Sequence, residues 1–221
     1  MDIGDLIRAE SCLPFYVVGW SVVWSLILRF YPRGESERDH ILVLNAFHGL
    51  LSTGIAIYTL QTQLDTALSC ATSISFFLVD GCYMAHKDGL KTITSQPNSR
   101  KLDYAHHVFG FAWGVVLHYT EGWICACSNP YVWIQTNEIS TPFYNWYRKS
   151  KNPIAGALFA VFFFGSRVVF NTVVLMPKFF HACYDVAFWG CFPYFILQYV
   201  WFIMIIRKVM RSSASMSKKT R

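Results

Sequence analysis

Residues 103–121 read D-Y-A-H-H-V-F-G-F-A-W-G-V-V-L-H-Y-T-E. The run is apolar enough for a membrane, yet it holds three histidines and an acid at each end. On a helix each residue turns about 100°. With His106 at zero, Gly110 falls at about 40°, Asp103 and Glu121 at about 60°, Gly114 at about 80°, His107 at about 100° and His118 at about 120°. The ionisable groups and both glycines therefore share one third of the circumference, interrupted only by Leu117. Val108, Phe109, Phe111, Ala112, Trp113, Val115, Val116 and Tyr119 cover the rest. Ionisable groups are costly in a bilayer and turn toward a bundle interior or a watery cavity. The pattern predicts a helix that lines a site, with other helices walling it in.

The surrounding composition agrees. The chain is 54% hydrophobic and 18% aromatic but only 14% charged, against about 25% charged in a soluble domain. Several apolar runs are near the length that crosses a bilayer. This reads as an all-α polytopic membrane protein. The net charge of +6 is not a nucleic-acid signal, because the basic residues sit at span ends. The N-terminal M-D-I-G-D has no basic n-region, so the first span is expected to stay in the mature protein.

Seven spans are expected, at 13–30, 41–60, 67–85, 104–120, 123–143, 153–176 and 186–206. Pro32-Arg33-Gly34 stops the first. A polar loop, 86–102, precedes the histidine helix, and a Glu121-Gly122 turn follows it. The fifth span is the most interrupted, with Asn129, Pro130, Gln135, Asn137 and Glu138 inside it. A re-entrant pair at the fourth and fifth positions is the alternative. Three regions follow: 1–40 (tail, first span and loop), 41–208 (the main helical domain) and 209–221 (a basic tail).

Charge sets the expected orientation. Sixteen of the nineteen basic residues fall on one side of the alternating loops; Arg8 and Lys178 fall on the other, and Arg167 lies within a span. The basic side faces the cytosol, which puts the C-terminus there and the N-terminus across the membrane. Lys218-Lys219-Thr220-Arg221 then resembles a cytosolic dilysine signal read by coat machinery, which implies the endoplasmic reticulum. The seven cysteines are scattered. They are expected to be buried thiols, a lumenal disulfide among Cys12, Cys125, Cys127 and Cys183 being the alternative.

The chemistry concentrates at one depth. His106 and His107 open span four. Glu138 and Thr141 lie at comparable depth on span five, where Gln135, Asn145 and Pro142 share their face if the helix survives the proline. Span three brings Asp80 and Tyr83, and span six Arg167 and Asn171. One cavity shared by His106, His107, Asp80, Glu138 and Arg167 satisfies all five charges economically. An Arg167 pair with Glu138 or Asp80 can equally be a structural lock. His118 and Glu121 read as a solvated pair near the far interface. Gly110 and Gly114 read as close helix packing. No metal site is expected: His106 and His107 point about 100° apart and His118 is about 17 Å further along. Imidazole here fits a general base or an acyl-accepting nucleophile.

The chain resembles the TLC-domain family, which takes in translocating-chain-associating proteins, longevity-assurance ceramide synthases and the ceroid lipofuscinosis protein of the endoplasmic reticulum. The residues that carry the resemblance are Asp103-Tyr-Ala-His106-His107 opening one span, Glu138-Ile-Ser-Thr-Pro-Phe-Tyr-Asn145 closing the next, and Phe162-Phe-Phe-Gly-Ser-Arg167 in the third. The resemblance covers about 41–208. It implies a six-helix barrel around a lipid-accessible cavity, mapped on spans two to seven, with span one added outside. It also implies acyl transfer from acyl-CoA to a lipid amine or hydroxyl at His106 and His107, with Asp80, Asp103, Glu138 and Arg167 in support. His107 is followed by Val108-Phe109-Gly110, which departs from the H-H-x-x-T of the synthases. Two functions are therefore expected: an acyl-CoA-dependent N- or O-acyltransferase with acyl-CoA as co-substrate, no bound cofactor and membrane lipids as partners, or a non-catalytic lipid-binding, lipid-sensing or cargo protein on the same barrel. A small seven-span transporter or receptor also fits the length, but it lacks repeated halves and an interior lysine in span seven for retinal.

Overall fold

A computed structural model describes residues 3–30, 37–62, 66–89, 94–119, 130–182 and 185–219, with side chains for 12–30, 42–62, 66–89, 94–98, 100–119, 130–181 and 188–210. Glu121 and the turn after it, Cys125, Cys127, Cys183, the start of the fifth span and the side chains of Lys218 and Lys219 lie outside the described residues.

Seven helices follow one another with no strand among the described residues. They are α1 (Ile3–Phe30), α2 (Glu37–Thr62), α3 (Thr66–Asp88), α4 (Asn98–Tyr119), α5 (130–150), α6 (153–182) and α7 (Asp185–Lys219). Five contain stretches long and apolar enough to cross a membrane: Cys12–Phe30, Leu42–Thr62, Thr66–Asp88, Pro153–His181 and Phe188–Met210. α4 and α5 are less apolar because they carry the histidines, Gln135, Asn137 and Glu138. Each is still about as long as the hydrocarbon core is thick, since the 22 residues of α4 rise about 33 Å.

Local sequence explains the joints. Gly89, at φ 78°, ends α3 in the left-handed region, and its N–H reaches the Ala85 carbonyl at 3.0 Å. Lys151 ends α5 in the same region, at φ 56°, with its N–H on Tyr147 O at 2.9 Å. Asn152 then caps α6 by accepting from Ile154 N at 2.8 Å, and Pro153 takes the first helical position, where no donor is needed.

Two helices change pitch. α5 runs as Pro130–Gln135, a 3₁₀ stretch Thr136–Ser140, then Thr141–Ser150. Pro142 cannot donate to Glu138 O, four residues back, and its ring would crowd that carbonyl. The N–H of Thr141 takes the carbonyl instead, three residues on, and the helix survives its proline. α6 widens to i→i+5 spacing over Phe164–Leu175. Phe163, Arg167, Asn171 and Leu175, four residues apart, are all buried. In an ordinary α-helix a spacing of four drifts about 40° per step. The wider turn counters that drift, and the four share a buried face.

α2 packs on α3, α3 on α4, α4 on α7, α7 on α6, α6 on α5 and α5 back on α2. The six expected barrel helices thus close a ring. The start of α5 also touches α3 and α4, so it fills the middle of the ring at one end. α1 stands outside against α3. Its Trp24 indole is buried and donates to Thr72 O and Ser75 Oγ at 3.2 and 3.1 Å, while Phe15, Val18, Leu26 and Phe30 face outward. α3 is the central rod, buried along its hydroxyl-rich run Ser69 to Phe77. Cys70 and Cys191 are buried as expected, but Cys12 and Cys82 are exposed: both sit on apolar outer faces, where a thiol is as compatible with lipid as with a core.

Glycines set the closest approaches. A Cβ on Gly110 would stand 2.6–2.9 Å from the Phe77 ring, and one on Gly114 would meet Tyr131 and Ile74 at 2.7–2.9 Å. The expected close packing of this pair is observed. At Gly49 the obstacle is stiffer: Pro142 Cδ, Thr141 Cβ and the Glu138 carbonyl, at 2.8–2.9 Å. Gly49→Ala should therefore cost about 1–3 kcal/mol of overpacking and lower the melting midpoint in detergent by several degrees. Gly54→Ala, with nothing within 4 Å of the new methyl, should not lower it. Equal midpoints for the two variants would contradict the α2–α5 contact described here.

Candidate functional site

The interior polar groups form three connected sets on a common apolar background. The first is an ion pair. Arg167 Nη2 lies 2.9 Å from Glu138 Oε2. Its Nε donates to Ser140 Oγ at 2.9 Å, Nη1 to Gln198 Oε1 at 3.1 Å and Nη2 also to Thr141 Oγ1 at 3.0 Å. Thr141 in turn donates to Glu138 Oε2. The Phe163 ring packs against the guanidinium. The 3₁₀ stretch of α5 and the widened turn of α6 together bring these groups to one point.

The second set is amide and hydroxyl. Gln135 Nε2 donates to Ser69 O and Ser73 Oγ, both at 2.8 Å, and its Oε1 accepts from Ser69 Oγ at 2.9 Å. Ser73 also meets Ser52 Oγ at 2.8 Å and His48 Nε2 at 3.1 Å. Asn137 Nδ2 donates to Asn171 Oδ1 at 2.6 Å and to Tyr194 Oη at 2.8 Å. Such bonds offset the cost of burying each polar group.

The third set holds the histidine pair, and its two members are treated differently. His107 is engaged at both nitrogens: Nδ1 lies 2.8 Å from Asp103 O and Nε2 lies 2.7 Å from Asp80 Oδ2. A carbonyl oxygen only accepts, so Nδ1 carries a hydrogen. The Nε2–Oδ2 contact then holds one shared proton, making the pair either imidazolium with carboxylate or imidazole with carboxylic acid. Both forms are neutral overall, which suits the apolar surroundings. Asp80 is buried, and its Oδ1 has no partner among the described residues. His106 makes no hydrogen bond among the described residues. Phe77 and Trp201 sit edge-on to its ring at 5.1 Å, and His107 at 5.7 Å.

His106 is also the histidine that lines the cavity. A partly open space of about 30 Å³ is lined by Ser73 and Phe77 of α3, His106, Phe109, Gly110 and Trp113 of α4, Tyr131, Ile134, Gln135 and Glu138 of α5, and Tyr194 of α7. That volume holds a water or two. An acyl chain needs the ring to part.

Of the residues expected to share one cavity, His107, Asp80 and Arg167 do not line it. His106, Gln135 and Glu138 line the cavity, and Arg167 and Thr141 lie directly behind Glu138. His107 and Asp80 form the adjacent pair, and Asn171 joins the row behind. Four further expectations change. Glu138 is committed to Arg167 and orients neither histidine. Asp103 serves through its backbone carbonyl, because His107 lies one helical turn beyond it. Tyr83 points away from the cavity and stacks with Lys87 at 5.7 Å, since its position on α3 is rotated from that of Asp80. His118 is buried, not solvated, with its ring beside Tyr119. Asn145 is buried at the margin, donating to Thr141 O at 2.9 Å.

Several contributors were not expected: His48, Ser69, Ser73, Asn137, Tyr194 and Gln198. Gln198 had a signal, being the one amide in the apolar run Phe192–Met204. The serines of α3 had a weaker one, their spacing of four. His48 had one too, being an ionisable side chain inside an expected span; Tyr194 had none without a partner to point at.

The ion pair yields a clear expectation. Arg167→Ala leaves a carboxylate buried with one hydroxyl, so it should cost about 3–5 kcal/mol and sharply cut the folded yield. Arg167→Met with Glu138→Leu removes both charges and should recover most of the melting midpoint of the parent. A double variant as unstable as Arg167→Ala would show that the pair is not the source of the effect.

The chain matches no family model, no curated protein and no solved structure.

Proposed function

We propose that this chain is a lipid-modifying protein of the endoplasmic reticulum membrane, similar to the TLC type, with His106 as general base for acyl transfer from acyl-CoA to a lipid amine or hydroxyl. The observation that carries the reading is the asymmetry of the histidine pair. His107 is tied down at both nitrogens, whereas His106 faces the cavity with neither nitrogen hydrogen-bonded among the described residues. A base needs a free lone pair directed at the substrate. His107, held by Asp80 and the Asp103 carbonyl, sets the position of the ring beside it. In the reaction His106 takes the proton from the acceptor N–H or O–H as its nitrogen or oxygen bonds the thioester carbonyl carbon. The carbon–sulfur bond then breaks, and the CoA thiolate leaves with the proton returned by His106. The basic residues of the 86–102 and 148–151 stretches support a cytosolic approach for the CoA phosphates. The charge asymmetry of the loops supports a cytosolic face for the basic residues.

The second reading is a lipid-binding or lipid-sensing protein without turnover. It is favoured by one observation: Glu138, the carboxylate that lines the cavity beside His106, is already committed to Arg167 and Thr141.

Purified protein in phosphatidylcholine vesicles, given long-chain acyl-CoA and a sphingoid base, should release free thiol at a rate that His106→Asn cuts about 10²–10⁴-fold. Asp80→Asn, which loosens His107 without touching His106, should cut it less. No thiol release from wild type, with lipid still co-purifying, would favour the binding reading. Equal release from His106→Asn would remove His106 from the chemistry.

A further inference from the structure

The seams of the ring are not closed in the same way. Along α3 and α4 the backbones approach through glycine: Gly110 lies under Phe77, and a Cβ on Gly81 would contact His107 at 3.7 Å. Between α4 and α7 the closure is by side chains. At one level Trp113 of α4 lies over Gly190 of α7, where any Cβ would overlap the indole. Its Nε1–H donates to Cys191 Sγ at 3.0 Å. At the other level the His106 ring meets the Trp201 indole at 5.1 Å. Seven residues apart on α4, these bridges frame a window about 10 Å tall. Phe109 and Gly110 of α4 and Tyr194 of α7 stand between them, and all three line the cavity. Outside the window, Val108 and Val116 on α4 and Trp189 and Ile196 on α7 are exposed, so the seam opens onto hydrocarbon.

We propose that the α4–α7 seam is a lateral portal for the hydrocarbon chain of a membrane lipid, latched by Trp113 in the notch formed by Gly190 and Cys191. The inference rests on the lipid-handling reading above and adds the route. The occupant is a hydrocarbon chain because the inner wall is Phe77, Phe109, Trp113 and Ile134 and the outer approach is equally apolar. A polar solute would cross that seam at the full cost of desolvation. The latch across the seam is weak: a thiol sulfur is a poor acceptor, the indole fits only because Gly190 has no side chain, and its ring stacking at 5.9 Å is with Phe109 of its own helix. Swinging Trp113 outward joins the cavity to the bilayer and leaves a chain beside His106, where the acyl carbonyl is needed.

The test is photolabelling of the full chain in phosphatidylcholine nanodiscs that contain a trace of phosphatidylcholine with a diazirine on one acyl chain. Adducts are mapped by mass spectrometry, and the ratio of those at inward Phe109 and Tyr194 to those at outward Val108 and Val116 is the readout. In wild type, inward adducts should concentrate on Phe109 and Tyr194 rather than on the inward residues of other seams. Trp113→Ala should raise the ratio roughly fivefold, the scale of a population shift when one weak latch is removed. Gly190→Ala expels the same indole while leaving tryptophan in place, so it should raise the ratio too and covers the case in which Trp113→Ala folds poorly. Labelling at the seam without thiol release would overturn acyl transfer and leave the portal standing. Thiol release with adducts confined to another seam, or an unchanged ratio in both latch variants, would overturn the portal.

Discussion

The Arg167 guanidinium sits inside an apolar ring and is held there by four side chains from two neighbouring helices: Glu138, Ser140 and Thr141 of α5 and Gln198 of α7. A cation in that position is affordable only with its partners in place. This one contact therefore constrains three helices at once. It also explains their irregular backbones. Glu138, Ser140 and Thr141 reach the same guanidinium because a 3₁₀ stretch brings consecutive residues of α5 round faster than an α-helix does. Arg167 and Asn171 share a buried face where α6 widens over Phe164–Leu175. Departures from α-geometry are concentrated where the polar groups meet.

Around that lock the remaining polar groups divide by whether they are spoken for. The Gln135–serine set is paired within itself, and Asn137 binds Asn171 and Tyr194 through Nδ2. His107 and Asp80 share a proton and form a neutral unit. What is left facing the cavity is His106, whose ring is confined by Phe77, His107 and Trp201 and whose nitrogens have no hydrogen bond among the described residues. The site is thus built by subtraction: among the described residues, a largely paired interior leaves His106 next to a small apolar space. The narrowness of that space belongs to the closed ring, and the seam bridged by Trp113 is where side chains, not backbones, do the closing.

The all-α membrane architecture was legible in the chain because composition and span length alone exclude most alternatives. The bilayer leaves no other way to satisfy the backbone, and the periodicity of 103–121 marked the inward face of α4 before any neighbour was known. The gathering of His106, His107, Asp80, Glu138 and Arg167 followed from one physical rule, that charges in hydrocarbon seek each other. Pro142 invited the expectation of a doubtful helix, and the 3₁₀ turn that accommodates it depends on a single carbonyl finding another donor.

Only the tertiary structure decided who pairs with whom. Asp80 and Glu138 were equivalent candidates for Arg167 on depth alone; the rotation of α3 relative to α5 gave Asp80 to His107 and Glu138 to Arg167. The same rotation turned Tyr83 outward. The difference between His106 and His107, adjacent in the chain, arises because 100° of helix sends one to α3 and the other toward α7. Sequence sets which residues must be buried, since transfer from water is a property of each side chain. Partner choice is a property of distance and angle between helices, and those exist only once the ring has closed.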